Sequence, residues 1–244
     1  MQTSSLYDLT IIMPAYNEGD YLTETVEDII LHLPKDINWQ FIISEDGSTD
    51  NTKEIILDLS KKYNILPLIS DLRKGYALAV VDAINASNSE YILFLDSDRQ
   101  LDPKDINLFW EKRQQADYVV GNRVKRADSK ARIIASKLFM FYYNYLFGNK
   151  LQDPSCPMIL ISSAKCKLIA RDWISLGVRI SEGFWWEFNA WAFKRNFKYI
   201  ELPIRHYLRA DGTGTKVYNL KKLPDILFRN IKNIYMVKIS DLND

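Results

Sequence analysis

Over its first hundred residues the chain alternates short apolar runs with amphipathic segments, and this rhythm restricts the fold more than any other feature. Leu9 to Met13, closed by Pro14, reads as a buried strand. Asp20 to Leu33 places Leu22, Val26, Ile29, Ile30 and Leu33 at helical spacing and stops at Pro34. Trp39 to Ser44 is a second strand, and Thr49 or Asp50 caps a helix that runs to about Tyr63. Leu66 to Ile69 and Tyr91 to Leu95 read as further strands, with a helix over Gly75 to Ala86 between them. Such alternation predicts an α/β fold, a mostly parallel sheet flanked by helices on both faces.

The rhythm then changes. Pro103 to Gln115 looks helical, Asp117 to Gly121 is a short strand, and Ser129 to Phe147 is an aromatic-rich amphipathic helix. Gln152 to Ser162 reads as strand or loop, Glu182 to Lys194 as a helix and Tyr199 to Ile204 as a strand. Arg209 to Lys216 is a polar, glycine-bearing loop, and Leu220 to Ile239 a last helix with basic residues on one side. The 244 residues contain no repeat or low-complexity linker and predict one domain. A formal net charge of +1 argues against a general nucleic-acid binder, which needs a basic surplus. Cys156 and Cys166 lack metal-ligand spacing and point to a reduced, cytosolic setting. Met1 to Asp8 has no signal-peptide core, and no apolar run reaches the roughly 18 residues of a membrane span.

Ligands of such sheets bind beyond the carboxyl ends of the strands. Three polar clusters follow apolar runs directly and so share one rim: Pro14-Ala15-Tyr16-Asn17-Glu18, Glu45-Asp46-Gly47-Ser48-Thr49-Asp50 and Asp96-Ser97-Asp98-Arg99-Gln100. Asp96 and Asp98 repel each other unless a cation sits beside them. Hard oxygens of this kind suit Mg²⁺ or Mn²⁺, ions that share their shell with substrate phosphates. A lone pair of aspartates at this spacing is more often a solvated turn; its place behind Tyr-Ile-Leu-Phe-Leu sets this one apart. The stretch from Asp46 to Asp50 is in itself a good turn and helix cap, or else Asp46 accepts a hydrogen bond from a nucleobase. Tyr16 packs either on that base or in the core.

Together these residues resemble family 2 glycosyltransferases. The matching stretches are Ile-Ile-Met-Pro-Ala-Tyr-Asn-Glu (11–18), Ser-Glu-Asp-Gly-Ser-Thr-Asp (44–50), Arg73-Lys74-Gly75 before an Ala-rich helix, and Leu-Asp-Ser-Asp-Arg-Gln (95–100). The C-terminal half is similar to the polyprenyl-phosphate sugar synthases within that family. Gly121-Asn122-Arg123 matches their Gly-Ser-Arg element, and Arg132 falls where a second basic residue is expected. Asp153 looks like the aspartate before their short loop and strand, and Glu187 stands suitably before Tyr-Ile-Glu-Leu-Pro-Ile (199–204). Arg209 to Lys216 resembles the loop that closes over the donor, with Gly212 and Gly214 as its flexible points.

The resemblance implies a GT-A (nucleotide-diphospho-sugar transferase) fold. Residues 1–121 would form the nucleotide-sugar half, and residues 122–244 the acceptor half with its C-terminal amphipathic helix. It implies an inverting, metal-dependent transfer of a sugar from a GDP- or UDP-linked donor to a polyprenyl phosphate. Pro14, Ala15, Tyr16, Glu18 and Asp46 then contact the nucleoside, and Asp96, Asp98 and Gln100 hold Mg²⁺ or Mn²⁺ and the diphosphate. Arg123, Arg132, Arg209 and Lys216 face phosphates. The leaving diphosphate gains charge as the glycosidic bond breaks, so a metal and cations stabilise the transition state. Four departures stand out. Glu45 replaces an aspartate, Ser155-Cys156-Pro157-Met158 replaces a Ser-Gly-Phe-Arg-like stretch, and the loop after Arg209 carries an extra residue. The Gln-x-x-Arg-Trp signature of processive synthases is missing.

Several alternatives stay open. A lipid phosphate is already ionised at neutral pH and needs no general base. A glycan or other hydroxyl acceptor needs a carboxylate, for which Asp153 is the candidate. His32, inside a helix, and His206, after a strand, read as structural. A nucleotide-sugar-binding module without turnover would be expected to lose the paired aspartates, and a nucleotidyltransferase to carry a Gly-rich basic loop after strand one. Lys130, Arg132 and Lys137 precede an aromatic cluster, while Lys221, Lys222, Arg229, Lys232 and Lys238 accompany the apolar residues of the last helix. These segments suit the cytoplasmic face of an anionic membrane, directly or through an anchoring partner. The competing reading is core or a homo-oligomer interface.

Overall fold

A strand covered on both faces needs apolar residues along its whole length. The first strand, β1 (Tyr7–Ala15), is buried continuously from Leu9 to Ala15. A computed structural model of the chain describes residues 6–124, 130–148, 150–177, 183–209 and 223–242. The further strands are β2 (Trp39–Glu45), β3 (Ile65–Leu68), β4 (Ser89–Phe94), β5 (Tyr118–Arg123), β6 (Ile159–Ser162) and β7 (Tyr199–Ile204). They form one sheet in the order β3-β2-β1-β4-β6-β5-β7. The helices are α1 (Gly19–Leu31), α2 (Thr52–Lys62), α3 (Tyr76–Ala86), α4 (Ile106–Lys112), α5 (Lys130–Phe147), α6 (Ser163–Ser175), α7 (Phe184–Lys194) and α8 (Leu223–Ile239).

Register decides where the chemistry sits. β1 runs parallel to β2 with Ala15 opposite Glu45, and parallel to β4 with Ile12 opposite Phe94. The three strands therefore deliver their polar clusters to one rim. The strand order reverses between β1 and β4, which is where a doubly wound sheet opens its ligand crevice. β6 is antiparallel to both β4 and β5, with Ile159 opposite Phe94 and Val120. The chain thus enters β6 from the same rim, and the loop from Leu151 to Met158 joins the site although it precedes its strand. β7 pairs parallel with β5, Ile204 opposite Arg123.

The alternating half follows the expected elements closely, and the mostly parallel sheet is present. Three differences lie in the second half. The helix expected from Pro103 is a 3-10 turn (Pro103–Asp105) followed by α4, because Asp102 caps the turn by accepting from the Lys104 amide at 3.1 Å. Gln152 to Ser162 divides into a loop and β6. α6 had no counterpart in the sequence reading. Its buried Cys166, Ile169, Ala170 and Trp173 have helical spacing, but lysines, arginine and aspartate interleave them.

Glu187 of α7 ties α6 and α8 together. Its side chain accepts from Trp173 Nε1 at 2.5 Å and from Asn233 Nδ2 at 2.8 Å. Burial pushes its carboxyl from 4.5 up to about 7, while the two hydrogen bonds act in the opposite direction. Between those values the folded state keeps a proton that the unfolded chain has lost, so stability falls as pH rises through this window. At about 1.4 kcal/mol per pKa unit the loss is on the order of 3 kcal/mol. Glu187→Gln is expected to remove that slope. Urea unfolding of both proteins at pH 5 and pH 8 checks it, and equal pH dependence in the two would contradict it.

Candidate active site

The clusters after β1 and β2 are zipped together by hydrogen bonds. Asn17, at φ 53°, donates its amide to Ser48 Oγ at 3.0 Å, and its side-chain oxygen accepts from the Thr49 amide at 2.8 Å. The Glu18 amide donates to Thr52 Oγ1 at 3.0 Å, and that of Gly19 to Asp50 Oδ2 at 3.2 Å. Glu45 is fully buried and accepts from the amides of Ser48 and Ser70, so the longer acid braces two loops. Asp46 accepts from the Lys74 amide at 2.8 Å and from the Gly75 amide at 3.0 Å. Its other neighbour is Arg73, whose Nε lies 3.9 Å away and whose guanidinium stacks 3.9 Å over the Tyr16 ring. Gly47, at φ +70°, lets this strap pass, since a Cβ there would lie 2.6 Å from the Arg73 nitrogen.

The loop after β4 carries the paired aspartates. Asp98 accepts from the Gln100 amide at 3.1 Å and from Arg209 Nη1 at 3.0 Å. Arg209 Nη2 reaches Glu18 Oε1 at 2.7 Å, so one guanidinium joins the β1 and β4 clusters. All three side chains are nearly enclosed, at 10%, 10% and 14% exposure for Arg209, Glu18 and Asp98. Asp96 accepts from the Tyr76 hydroxyl at 2.7 Å, which itself accepts from Trp185 Nε1 at 2.8 Å. Burial, then the charge of Asp98, pushes the Asp96 carboxyl up to about 7, against the pull of Tyr76, Arg123 and Arg209. Asp98 is raised by burial and drawn back chiefly by Arg209. Gln100 Nε2 donates to the Tyr207 carbonyl at 3.1 Å, and Leu101 bridges to His206. The chain before Arg209 is thereby stitched to the aspartate loop. A cavity of about 370 Å³ opens beside it, lined among others by Thr25, His32, Asp96, Arg99 and Tyr207.

The third side of the site comes from β5 and the loop before β6. Asp153 Oδ2 accepts from Arg123 Nε at 2.6 Å and the Arg123 amide at 3.3 Å. Its Oδ1 accepts from Arg123 Nη2 and from Ser155 Oγ, both at 2.9 Å. Glu201 of β7 receives the amides of Gln152 and Asp153 at 2.8 and 2.9 Å. The structure thus brings together Glu18, Asp46, Asp96, Asp98, Gln100, Arg123, Asp153 and Arg209, with Pro14 and Ala15 buried at the end of β1. Lys216, Gly212, Gly214, Lys221, Lys222 and the side chain of Arg132 lie outside the described residues. Tyr76, Trp185 and Glu201 were not singled out in the sequence. Tyr76 directly follows Arg73-Lys74-Gly75, which was its only signal.

Among solved structures, glucosyl-3-phosphoglycerate synthase from Mycobacterium tuberculosis, in complex with Mn²⁺, UDP and glucosyl-3-phosphoglycerate, is similar in fold. The TM-score is 0.67 at 14% identity, over 97% of this chain and 82% of that one. The likeness defines the fold as that of a GT-A glycosyltransferase. The chain belongs to glycosyl transferase family 2, whose family model matches residues 10–175. A dolichyl-phosphate beta-glucosyltransferase from Trichomonas vaginalis is 27% identical over 183 residues, 68% of this chain and 56% of that protein. The undecaprenyl-phosphate 4-deoxy-4-formamido-L-arabinose transferase of Edwardsiella ictaluri is 24% identical over 224 residues, 90% of this chain and 66% of that one. The chain therefore spans between 56% and 66% of the length of these two relatives.

The Arg123–Asp153 pair makes a stability prediction. Both side chains are under a tenth exposed. Arg123→Met leaves a buried carboxylate without its guanidinium and is expected to cost about 3 kcal/mol. Adding Asp153→Asn should restore part of that loss. Urea denaturation measures both, and a single-variant loss below about 1 kcal/mol would count against the pairing.

Proposed function

We propose that the protein is an inverting glycosyltransferase that moves a sugar from a GDP- or UDP-linked donor to a polyprenyl phosphate at a membrane surface. The observation that carries the acceptor class is the state of Asp153. Both its oxygens are engaged, by Arg123 and by Ser155, which ill suits a general base for a sugar hydroxyl. A phosphate oxygen attacks without one. It bonds to the anomeric carbon while the bond from that carbon to the diphosphate oxygen breaks on the opposite face. The names of the two polyprenyl- and dolichyl-phosphate relatives support the same class.

In this reading residues 1–121 serve the donor and residues 122–244 the acceptor. Tyr16 and the stacked Arg73 form one wall of the nucleoside subsite, beside Pro14, Ala15, Glu18 and Asp46. Asp46 holds the Lys74–Gly75 amides and keeps acceptor capacity for a base N–H. Asp96 and Asp98, with Gln100, fit a divalent ion: their oxygens are hard, and mutual repulsion and burial raise the cost of leaving both charged. Among the described residues no three His, Cys, Asp or Glu side chains gather as ligands, so water and the diphosphate would fill much of the shell. Bound Mg²⁺ or Mn²⁺ would neutralise charge developing on the diphosphate. Arg209 and Arg123 would add fixed positive charge there, the role the family resemblance also implies for Arg132 and Lys216.

The membrane assignment rests on two helices. α5 exposes Ile134, Leu138, Phe141 and Tyr145 along one side while burying Phe139 and Tyr143 on the other. α8 exposes Phe228, Ile231, Tyr235 and Ile239, flanked by exposed Lys232 and Lys238, and buries Ile226, Ile234 and Val237. Apolar stripes edged by lysines suit an anionic leaflet. Among the described residues no helix is long and apolar enough to cross a membrane. Both cysteines are free and buried, which suits the reducing, cytoplasmic side.

Two experiments test the reading. Sugar transfer is screened over UDP- and GDP-sugars with a polyprenyl phosphate and Mn²⁺ or Mg²⁺. Asp98→Asn is expected to lower turnover at least about 100-fold, equivalent to roughly 2.7 kcal/mol of barrier. Full activity in EDTA, or transfer only to glycan hydroxyls, overturns the metal or the acceptor respectively. In the second experiment the protein should sediment with anionic liposomes at low salt and less so at high salt, and Phe141→Asp with Phe228→Asp should release it. Failure to sediment, with a dimer seen by light scattering, would assign the apolar face to a second copy instead.

A further inference from the structure

Asp96 is held through Tyr76 and Trp185. Tyr76 is the first residue of α3, and its hydroxyl stands 2.7 Å from Asp96 Oδ1. Trp185 of α7 places Nε1 2.8 Å from the same hydroxyl. An indole N–H only donates. The tyrosine oxygen must therefore accept from Trp185, and its own hydrogen points at Asp96. We propose that Tyr76, oriented by Trp185, is the positioning residue for Asp96: it commits Oδ1 as a hydrogen-bond acceptor and so fixes which oxygen is left for the ion. The inference rests on the metal-dependent reading above.

Backbone hydrogen bonds, a glycine conformation and ring contacts give the arrangement its rigidity. Tyr76 follows the two amides, of Lys74 and Gly75, that Asp46 grips. Gly75 adopts φ 97° and ψ 152°, a conformation suited to glycine alone, so the approach to Tyr76 is set by the backbone as well. Three consecutive residues thus link the nucleoside-side carboxylate to the metal-side carboxylate. The tyrosine ring meets Trp185 edge-on at 6.3 Å, and Trp185 meets Phe94 at 5.0 Å, two residues before Asp96. Trp185, from the second half of the chain, thus reaches the aspartate loop through the Tyr76 hydroxyl.

Tyr76→Phe keeps the ring and removes only the hydroxyl. Mn²⁺ binding is followed by the electron paramagnetic resonance signal of the free ion, with Mn²⁺ alone and with UDP or GDP added. The expected result is an affinity about 10- to 100-fold weaker than wild type, the usual cost of losing a hydrogen-bond partner of a metal ligand. The unfolding midpoint should move little, and kcat should recover partly at high Mn²⁺. Trp185→Phe should weaken binding less, and the double variant should be no worse than Tyr76→Phe, because both act through one hydroxyl. Equal Mn²⁺ affinity in wild type and Tyr76→Phe overturns the inference and leaves the metal reading standing, as does a lower midpoint with unchanged affinity. A wild type that binds no Mn²⁺, with or without nucleoside diphosphate, overturns both. Should Tyr76→Phe fail to fold, Trp185→Phe decides: weakened binding supports the proposal and unchanged binding overturns it.

Discussion

Carboxylates crowd the rim where the parallel strands end, and a crowded carboxylate must find a donor, a cation or a proton. The site is built from the different answers to that requirement. Glu45 and Asp46 are satisfied by backbone amides, which pin the loops of β2 and the strap before α3. Glu18 and Asp98 share the guanidinium of Arg209, and Asp153 takes that of Arg123. Asp96 accepts from the Tyr76 hydroxyl, and burial with the charge of Asp98 pushes its carboxyl up. The ordering of the loops follows from this electrostatic constraint.

The arrangement also joins distant parts of the chain. Arg209 lies more than a hundred residues from each of its partners, yet it closes the cleft between the β1 and β4 loops. The stitching of Gln100 to Tyr207 and of Leu101 to His206 holds it there. His206 thus has a backbone task at the rim.

The first half of the fold was legible because its strands are short, mostly apolar runs and its helices longer segments with apolar residues at helical spacing. Their register could be inferred only as a shared rim; the pairing of Ala15 with Glu45 makes it concrete. The second half was harder for physical reasons. β6 is four residues long and runs against its neighbours, and α6 mixes its buried positions with charged ones. Among site residues, Asp96 and Asp98 stood out by spacing and by their place behind a strand, while Arg123, Asp153 and Arg209 stood out only through the family resemblance. Tyr76 and Trp185 did not, since a buried aromatic is ordinarily core, and only the position of a hydroxyl and an indole N–H gives them another task.

The reversed strand has a consequence for how the protein is made. Among the described residues β5 pairs with β6 and β7 and with no earlier strand. A nascent chain can assemble β1 to β4 as they emerge, but residues 118–123 must wait for residues 159–162 before they have a neighbour. At about 5–20 residues per second, that interval is on the order of seconds during which both edges of β5 are open to chaperones or to wrong partners. Arg123 rides on β5 and Asp153 immediately precedes β6, so the two oppositely charged partners come together only when the late strand slots between its older neighbours. Glu18 and Asp98, in turn, are made long before Arg209, the cation that pairs with both, so the order of translation becomes an order of charge neutralisation.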